Sequence, residues 1–77
     1  MELHTPDIVL AATLLYYGAI YKDVELFEHK GTFVLLNVVE HDIEHFNRGR
    51  LLVDPYMFNL KMRYLSKMVK DKLKLLA

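Results

Sequence analysis

At 77 residues the chain has room for one domain, and with 53% hydrophobic residues and no cysteine it must hold a small core without disulfides or a cysteine-bound zinc. A domain of this size buries only about 60% of the surface its unfolded chain exposes. Apolar side chains in excess of what fits inside then lie outside, which favours self-association or a partner. Ten basic and ten acidic side chains cancel overall, but residues 1–47 hold eight of the acids with two bases, and residues 48–77 hold eight bases with two acids. Such asymmetry points to an electrostatic partner or to self-complementarity, and both readings stay open.

The longest stretch free of formal charge, Ile8 to Tyr21, has 14 residues, short of the roughly 20 that a spanning helix needs. The segment ahead of it carries Glu2 and Asp7 rather than Lys or Arg, which fits a secretory signal or transit peptide poorly. A cytoplasmic chain with no membrane segment is the expectation.

Thr5, Pro6 and Asp7 have the form of a helix start: a hydroxyl cap, a proline at the first helical position and an acid near the positive end of the dipole. The helix should run from Pro6 to Tyr17, with Gly18 in the left-handed conformation that ends it. Ile8, Val9, Leu10, Ala11, Ala12, Leu14 and Leu15 cover almost every side of this helix, which places it centrally or between protomers.

From Ala19 the hydrophobic period changes to two, and Gly31 marks a turn, which together read as a β-hairpin. A three-residue loop of His29, Lys30 and left-handed Gly31 would pair Glu28 with Thr32 and Phe27 with Phe33. That register gathers Ile20, Val24, Leu26, Val34 and Leu36 on one face. A two-residue loop would scatter them, so the three-residue loop is the expectation.

Asn37 and Glu40 have capping-box spacing, so a short helix is expected to begin near Val38 and end at Gly49, with Val39, Ile43 and Phe46 inward. Arg50 to Val53 should be extended. Asp54 as cap and Pro55 at the first helical position then open a last helix that runs almost to the end. The expected fold is a small single α+β domain: helix, β-hairpin, short helix, long C-terminal helix.

Motifs for chemistry are sparse. His41, Glu44 and His45 match HxxEH, the inverted zinc-protease motif. Both imidazoles should nevertheless face solvent, opposite Val39, Ile43 and Phe46, and a third ligand and a cleft are missing. A solvated face with a Glu44 to Arg48 pair accounts for the pattern. The single serine, Ser66, has no His near in sequence, and no glycine-rich phosphate loop exists. The expectation is therefore a protein that is not an enzyme, with no cofactor, no catalytic residue and no metal site.

The last helix is more informative. Phe58, Met62, Leu65, Val69, Leu73 and Leu76 form one apolar stripe, and Met57, Leu60, Tyr64, Met68 and Leu75 form a second beside it. The first suits the domain core; the second suits an oligomer interface, a dimer before all, unless the small core wraps both. A groove in a different protein that receives this helix is a further reading. Arg63, Lys67, Lys70 and Lys74 follow four-, three- and four-residue steps, a row of cations about 16 Å long at 1.5 Å rise per residue. It suits sequence-independent contact with nucleic-acid phosphates, extended by Arg48 and Arg50 if they lie near, or else it is a solvated face. No base-reading motif accompanies it.

Two stretches, Thr5-Pro-Asp7-Ile-Val-Leu-Ala11-Ala-Thr-Leu-Leu15 with Gly18, and Gly49-Arg-Leu-Leu-Val53-Asp54-Pro55-Tyr before a Leu- and Lys-rich helix, resemble a family of small prokaryotic and phage domains of unknown function. Those domains share a Thr-x-Asp start, a Leu-Ala-Ala core helix, a hairpin and a Val-Asp-Pro step. The resemblance implies the same element order and a phage or mobile-element context. It carries over no catalytic residue, and neither the His pair nor the basic row belongs to its pattern.

Overall fold

The computed structural model describes residues 1–28 and 30–76. Six elements follow one another: β1 (Leu3–Thr5), α1 (Ile8–Tyr16), β2 (Ile20–Phe27), β3 (Lys30–Leu36), α2 (Glu40–Asn47) and α3 (Pro55–Leu76). The strands form one antiparallel sheet in the order β1-β3-β2. Helices α1 and α3 pack together and against one face of the sheet, which gives the expected α+β domain with an additional first strand.

That strand changes the start of α1. Thr5 pairs with Phe33 in the sheet, and its Oγ1 accepts from Asp7 N at 3.1 Å. The cap is Asp7 instead of Thr5: its Oδ1 accepts from Val9 N at 3.0 Å and Leu10 N at 3.1 Å. The helix accordingly begins at Ile8, two residues later than Pro6. At its other end Gly18 has φ +107° as expected, Gly18 N donates to Leu15 O and Ala19 N to Leu14 O, the paired bonds of a Schellman ending. Ala11, Ala12, Thr13 and Leu14 are consecutive and all buried, so α1 is enclosed on nearly every side. Thr13 satisfies its hydroxyl by donating to Val9 O at 2.8 Å.

The hairpin register differs from the expectation. Phe27 pairs with Lys30, Leu26 with Gly31, Glu25 with Thr32 and Val24 with Phe33, which leaves two residues, Glu28 and His29, in the connection. Glu28 takes the positive φ, 51°, that was assigned to Gly31; His29 lies outside the described residues. Between Tyr21 and Asp23 the strand bulges by one residue, so Tyr21 meets Leu35 while Asp23 meets Val34. The shorter connection sets Phe33, in place of Val34 and Leu36, on the face of Val24 and Leu26, and the bulge then brings Tyr21 in place of Ile20 onto it. Tyr21, Val24 and Leu26 share the core face with Phe33 and Leu35, whereas Ile20, Val34 and Leu36 fall on the outer face. Gly31 sits in close quarters: a Cβ there would stand 3.2 Å from Val24 Cγ2, a tight contact, and 3.5 Å from Val69 Cγ2 on α3, an ordinary one.

Asn37 is not a cap either. It adopts φ 58°, and Val38 beyond it is buried, exchanging two backbone bonds of 2.9 Å with Met1. This pairing lies just beyond the β1–β3 ladder, one residue out of its register, and α2 begins only at Glu40, with Val39 at its N-cap and no side-chain cap. Val39 is exposed, and Val38 takes the core position, while Ile43 packs against the core as expected. Gly49, at φ +66°, ends α2 with a second Schellman pair, Gly49 N to Phe46 O and Arg50 N to His45 O.

Asp54 caps α3 as expected, its Oδ2 accepting from Met57 N at 2.9 Å. The connector ahead of it is tied to the end of α1: Tyr17 donates its hydroxyl to Leu52 O, and Tyr16 Oη accepts from Asp54 N at 3.2 Å. Leu65 is the most deeply buried residue of α3, and Phe58, Met62, Met68 and Val69 pack partly on the same core. At 22 residues α3 is about 33 Å long at 1.5 Å per residue, in a molecule whose longest extent is 39 Å. Its last turns outrun the core, which leaves Leu73 and Leu76 exposed although the periodicity assigns them to the inner stripe.

Candidate functional site

The exposed side of α3 holds both surfaces singled out by periodicity. On a helical wheel of about 100° per residue with Pro55 at zero, buried Leu65 lies at about 280°. Met57, Leu60, Tyr64 and Leu75 occupy about 140–200°, and Arg63, Lys67, Lys70 and Lys74 about 60–120°. The basic row thus stands directly opposite the core, and the apolar flank lies between the row and the sheet.

The flank is open. Leu60, Tyr64 and Met57 retain 38%, 43% and 44% of their accessible surface, and Leu75 retains 82%. Met68 departs from the expected set, because its position beside Leu65 and Lys72 turns it partly into the core. Tyr64 meets Tyr21 of β2 edge-on, with ring centroids 5.5 Å apart. Partial burial raises the Tyr21 hydroxyl above the usual phenol range, with the nearby Asp23 carboxylate adding to the effect. Leu60, Lys61 and Tyr64 form one wall of a mainly apolar groove of about 290 Å³ whose floor is Leu15, Ala19 and Tyr21. Sequence reasoning missed that floor, because it lies across the α1–β2 junction and not on α3.

The row is made of four exposed cations, none of which forms an ion pair among the described residues. Asp71, the only acid on α3, sits half-buried beside the row and is also without an ion pair there. A shallow depression of about 570 Å³ follows this side of α3 and is lined by α3 residues alone, Ser66 among them, so it has no opposing wall. Arg48 and Arg50 do not extend the row: the end of α2 and the connector meet α3 on its Phe58 side, around a groove lined by Phe46, Gly49, Leu51 and Val53.

Lys72, by contrast, is engaged. Its Nζ lies 3.1 Å from Asp23 Oδ1 and joins α3 to the bulge of β2. That bond, with Val24 N donating to the same carboxylate, holds Asp23 below the usual carboxylate range. On the outer face of the sheet His4 bridges two acids, with Nε2 2.8 Å from Glu2 and Nδ1 3.2 Å from Glu25, while Lys22 reaches Glu2 at 3.1 Å. These groups surround buried Val34. The hydrogen bond to Glu2 is the main reason that His4 is raised above the usual imidazole range, and the His4 and Lys22 bonds lower Glu2.

His41 and His45 lie one turn apart on α2 with ring centroids 4.0 Å apart. His41 is exposed but His45 is half-buried, so only one of them faces solvent as expected. Glu44 and Arg48 form no ion pair. Among the described residues no three His, Asp or Glu side chains gather in a set able to hold a metal ion, and no helix is long and apolar enough to cross a membrane. No protein-family model, curated protein or solved structure matches the chain.

Proposed function

We propose that this chain is a non-enzymatic interaction module that self-associates through the apolar flank of α3, with a two-fold dimer as the assembly. The open strip of Met57, Leu60 and Tyr64, continuous with the groove over Leu15, Ala19 and Tyr21, carries this reading. A contiguous apolar surface on so small a domain is the usual mark of a protein interface.

The flank is also self-complementary. If two α3 helices run antiparallel about a dyad near Lys67 and Met68, Leu60 of one copy meets Leu75 of the other, and Tyr64 meets Asp71. The Tyr64 hydroxyl then supplies a donor to a half-buried carboxylate that has no ion pair among the described residues. Pairing through the free edge of β2 is less favourable, because the bulge at Lys22 interrupts its hydrogen-bonding pattern, a common way to blunt a sheet edge.

Sedimentation velocity over a dilution series tests the proposal. The expected result is a species of twice the 9.1 kDa chain mass that Leu60→Asn converts to monomer without loss of helix content. A wild-type chain that stays monomeric throughout overturns it.

A further inference from the structure

We infer that the self-associated protein binds nucleic-acid phosphodiester backbone across a surface built from two copies of the Arg63, Lys67, Lys70 and Lys74 row; the inference rests on the dimer proposed above. The row points directly away from Leu65, and its cations form no ion pair among the described residues; Asp71, beside them, is the one acid on this helix, so four positive charges meet one negative. Over about 16 Å they match the length of about five phosphates along one strand of a duplex, at 3.4 Å per phosphate.

The dyad adds a second row. When two antiparallel helices meet through a flank, the two-fold axis stands perpendicular to the plane of their axes and maps each side of that plane onto itself. The rows lie about 80° from the flank on one side, and the cores about 110° from it on the other. Both rows therefore reach the same outer face, flanking the dyad, with helix axes about 8–10 Å apart. Eight cations then form one surface, which can meet both backbones of a duplex. The acids Glu2 and Glu25 lie on the outer face of the sheet, the opposite layer of each protomer, and are engaged with His4 and Lys22. They stand clear of an approaching polyanion.

Fluorescence anisotropy with a short labelled DNA duplex, followed from about 50 to 200 mM salt, tests the inference. Each neutralised phosphate contributes about −0.9 to the slope of log K against log salt, so two rows predict a slope near −7 and one row a slope near −4. Lys67→Glu with Lys70→Glu is expected to weaken binding at least tenfold while the sedimentation mass stays dimeric. Leu60→Asn, which leaves the charge unchanged, is expected to reduce the slope to the one-row value. A dimer that does not bind at low salt, or that binds equally well after charge reversal, overturns the inference and leaves self-association standing. A wild-type chain that binds while it remains monomeric overturns the two-row surface and the dimer together. Duplex RNA and single-stranded DNA are the companion probes, and tighter binding of the single strand than of either duplex overturns a surface that meets two backbones.

Discussion

Val69 of α3 lies against the backbone of Gly31 on β3, close enough that a Cβ at residue 31 would stand 3.5 Å from its Cγ2. The tighter neighbour is Val24 of β2, whose Cγ2 would stand 3.2 Å from that Cβ. Gly31→Ala is therefore expected to destabilise the fold by about 1–2 kcal/mol through overpacking. In a domain of this size each 1 kcal/mol lowers the thermal midpoint by about 4–8 °C. The double variant with Val24→Ala should lose less than the sum of the two single losses, because Val24 Cγ2 is the atom that the new Cβ crowds. Strict additivity in thermal melts would show that Val24 does not limit the space at residue 31.

His4 makes the stability of the sheet depend on pH. Its folded pKa is raised by the bond to Glu2, so its contribution is fully present below the unfolded value of about 6.5 and disappears as pH rises through the folded value. Glu2 and Asp23 are lowered and act in the opposite sense: their contributions are present above the usual carboxylate range and are lost in acid. The midpoint of wild type minus that of His4→Gln should accordingly be positive at pH 5.5 and shrink by pH 8.5. His4 and Glu2 are exposed, so the difference is small, and it should diminish further in high salt. A difference that does not change between the two pH values would mean that the bridge does not form in solution.

Asp54 supplies a third test. Replacing it by Ala removes the acceptor for Met57 N and should cost about 1 kcal/mol, while Asn should recover most of that loss because it caps nearly as well. Urea unfolding of the two variants measures the contrast. Equal losses would mean that the charge matters more than the cap.

The cap at Asp54 and the glycine endings at Gly18 and Gly49 were legible in the sequence because each depends on a few neighbouring residues. Strand β1 was not: Leu3, His4 and Thr5 are too few to show a period, and they become a strand only because the middle of β3 offers them a partner. The same long-range effect tied Val38 to Met1 and displaced the start of α2. The hairpin was misread for a different reason. Alternation assumes an unbroken count of two, and one bulged residue near Lys22 shifts every side chain before it to the other face. On α3 the periodicity placed the basic row and most of the apolar flank correctly, but it could not show where the core ends along the helix. Leu73 and Leu76 therefore lie outside although they share the period of Leu65.

Leu60 and Leu65 sit about 140° apart on α3 and should separate folding from association. Leu65 has no exposed surface, and truncation to Ala would leave a cavity among Leu14, Val24 and Leu35 in the same core, at a cost of about 2–5 kcal/mol. That is a large share of the stability that a domain of this size possesses. Leu60 keeps over a third of its surface, so Leu60→Ala should cost the isolated chain well under half as much. Thermal melts at low protein concentration should therefore show a large drop for Leu65→Ala and a small one for Leu60→Ala. As concentration rises, the wild-type midpoint should climb by mass action and the Leu60→Ala midpoint should not. A wild-type midpoint independent of concentration, with Leu60→Ala parallel to it, would assign Leu60 to the wall of a monomer.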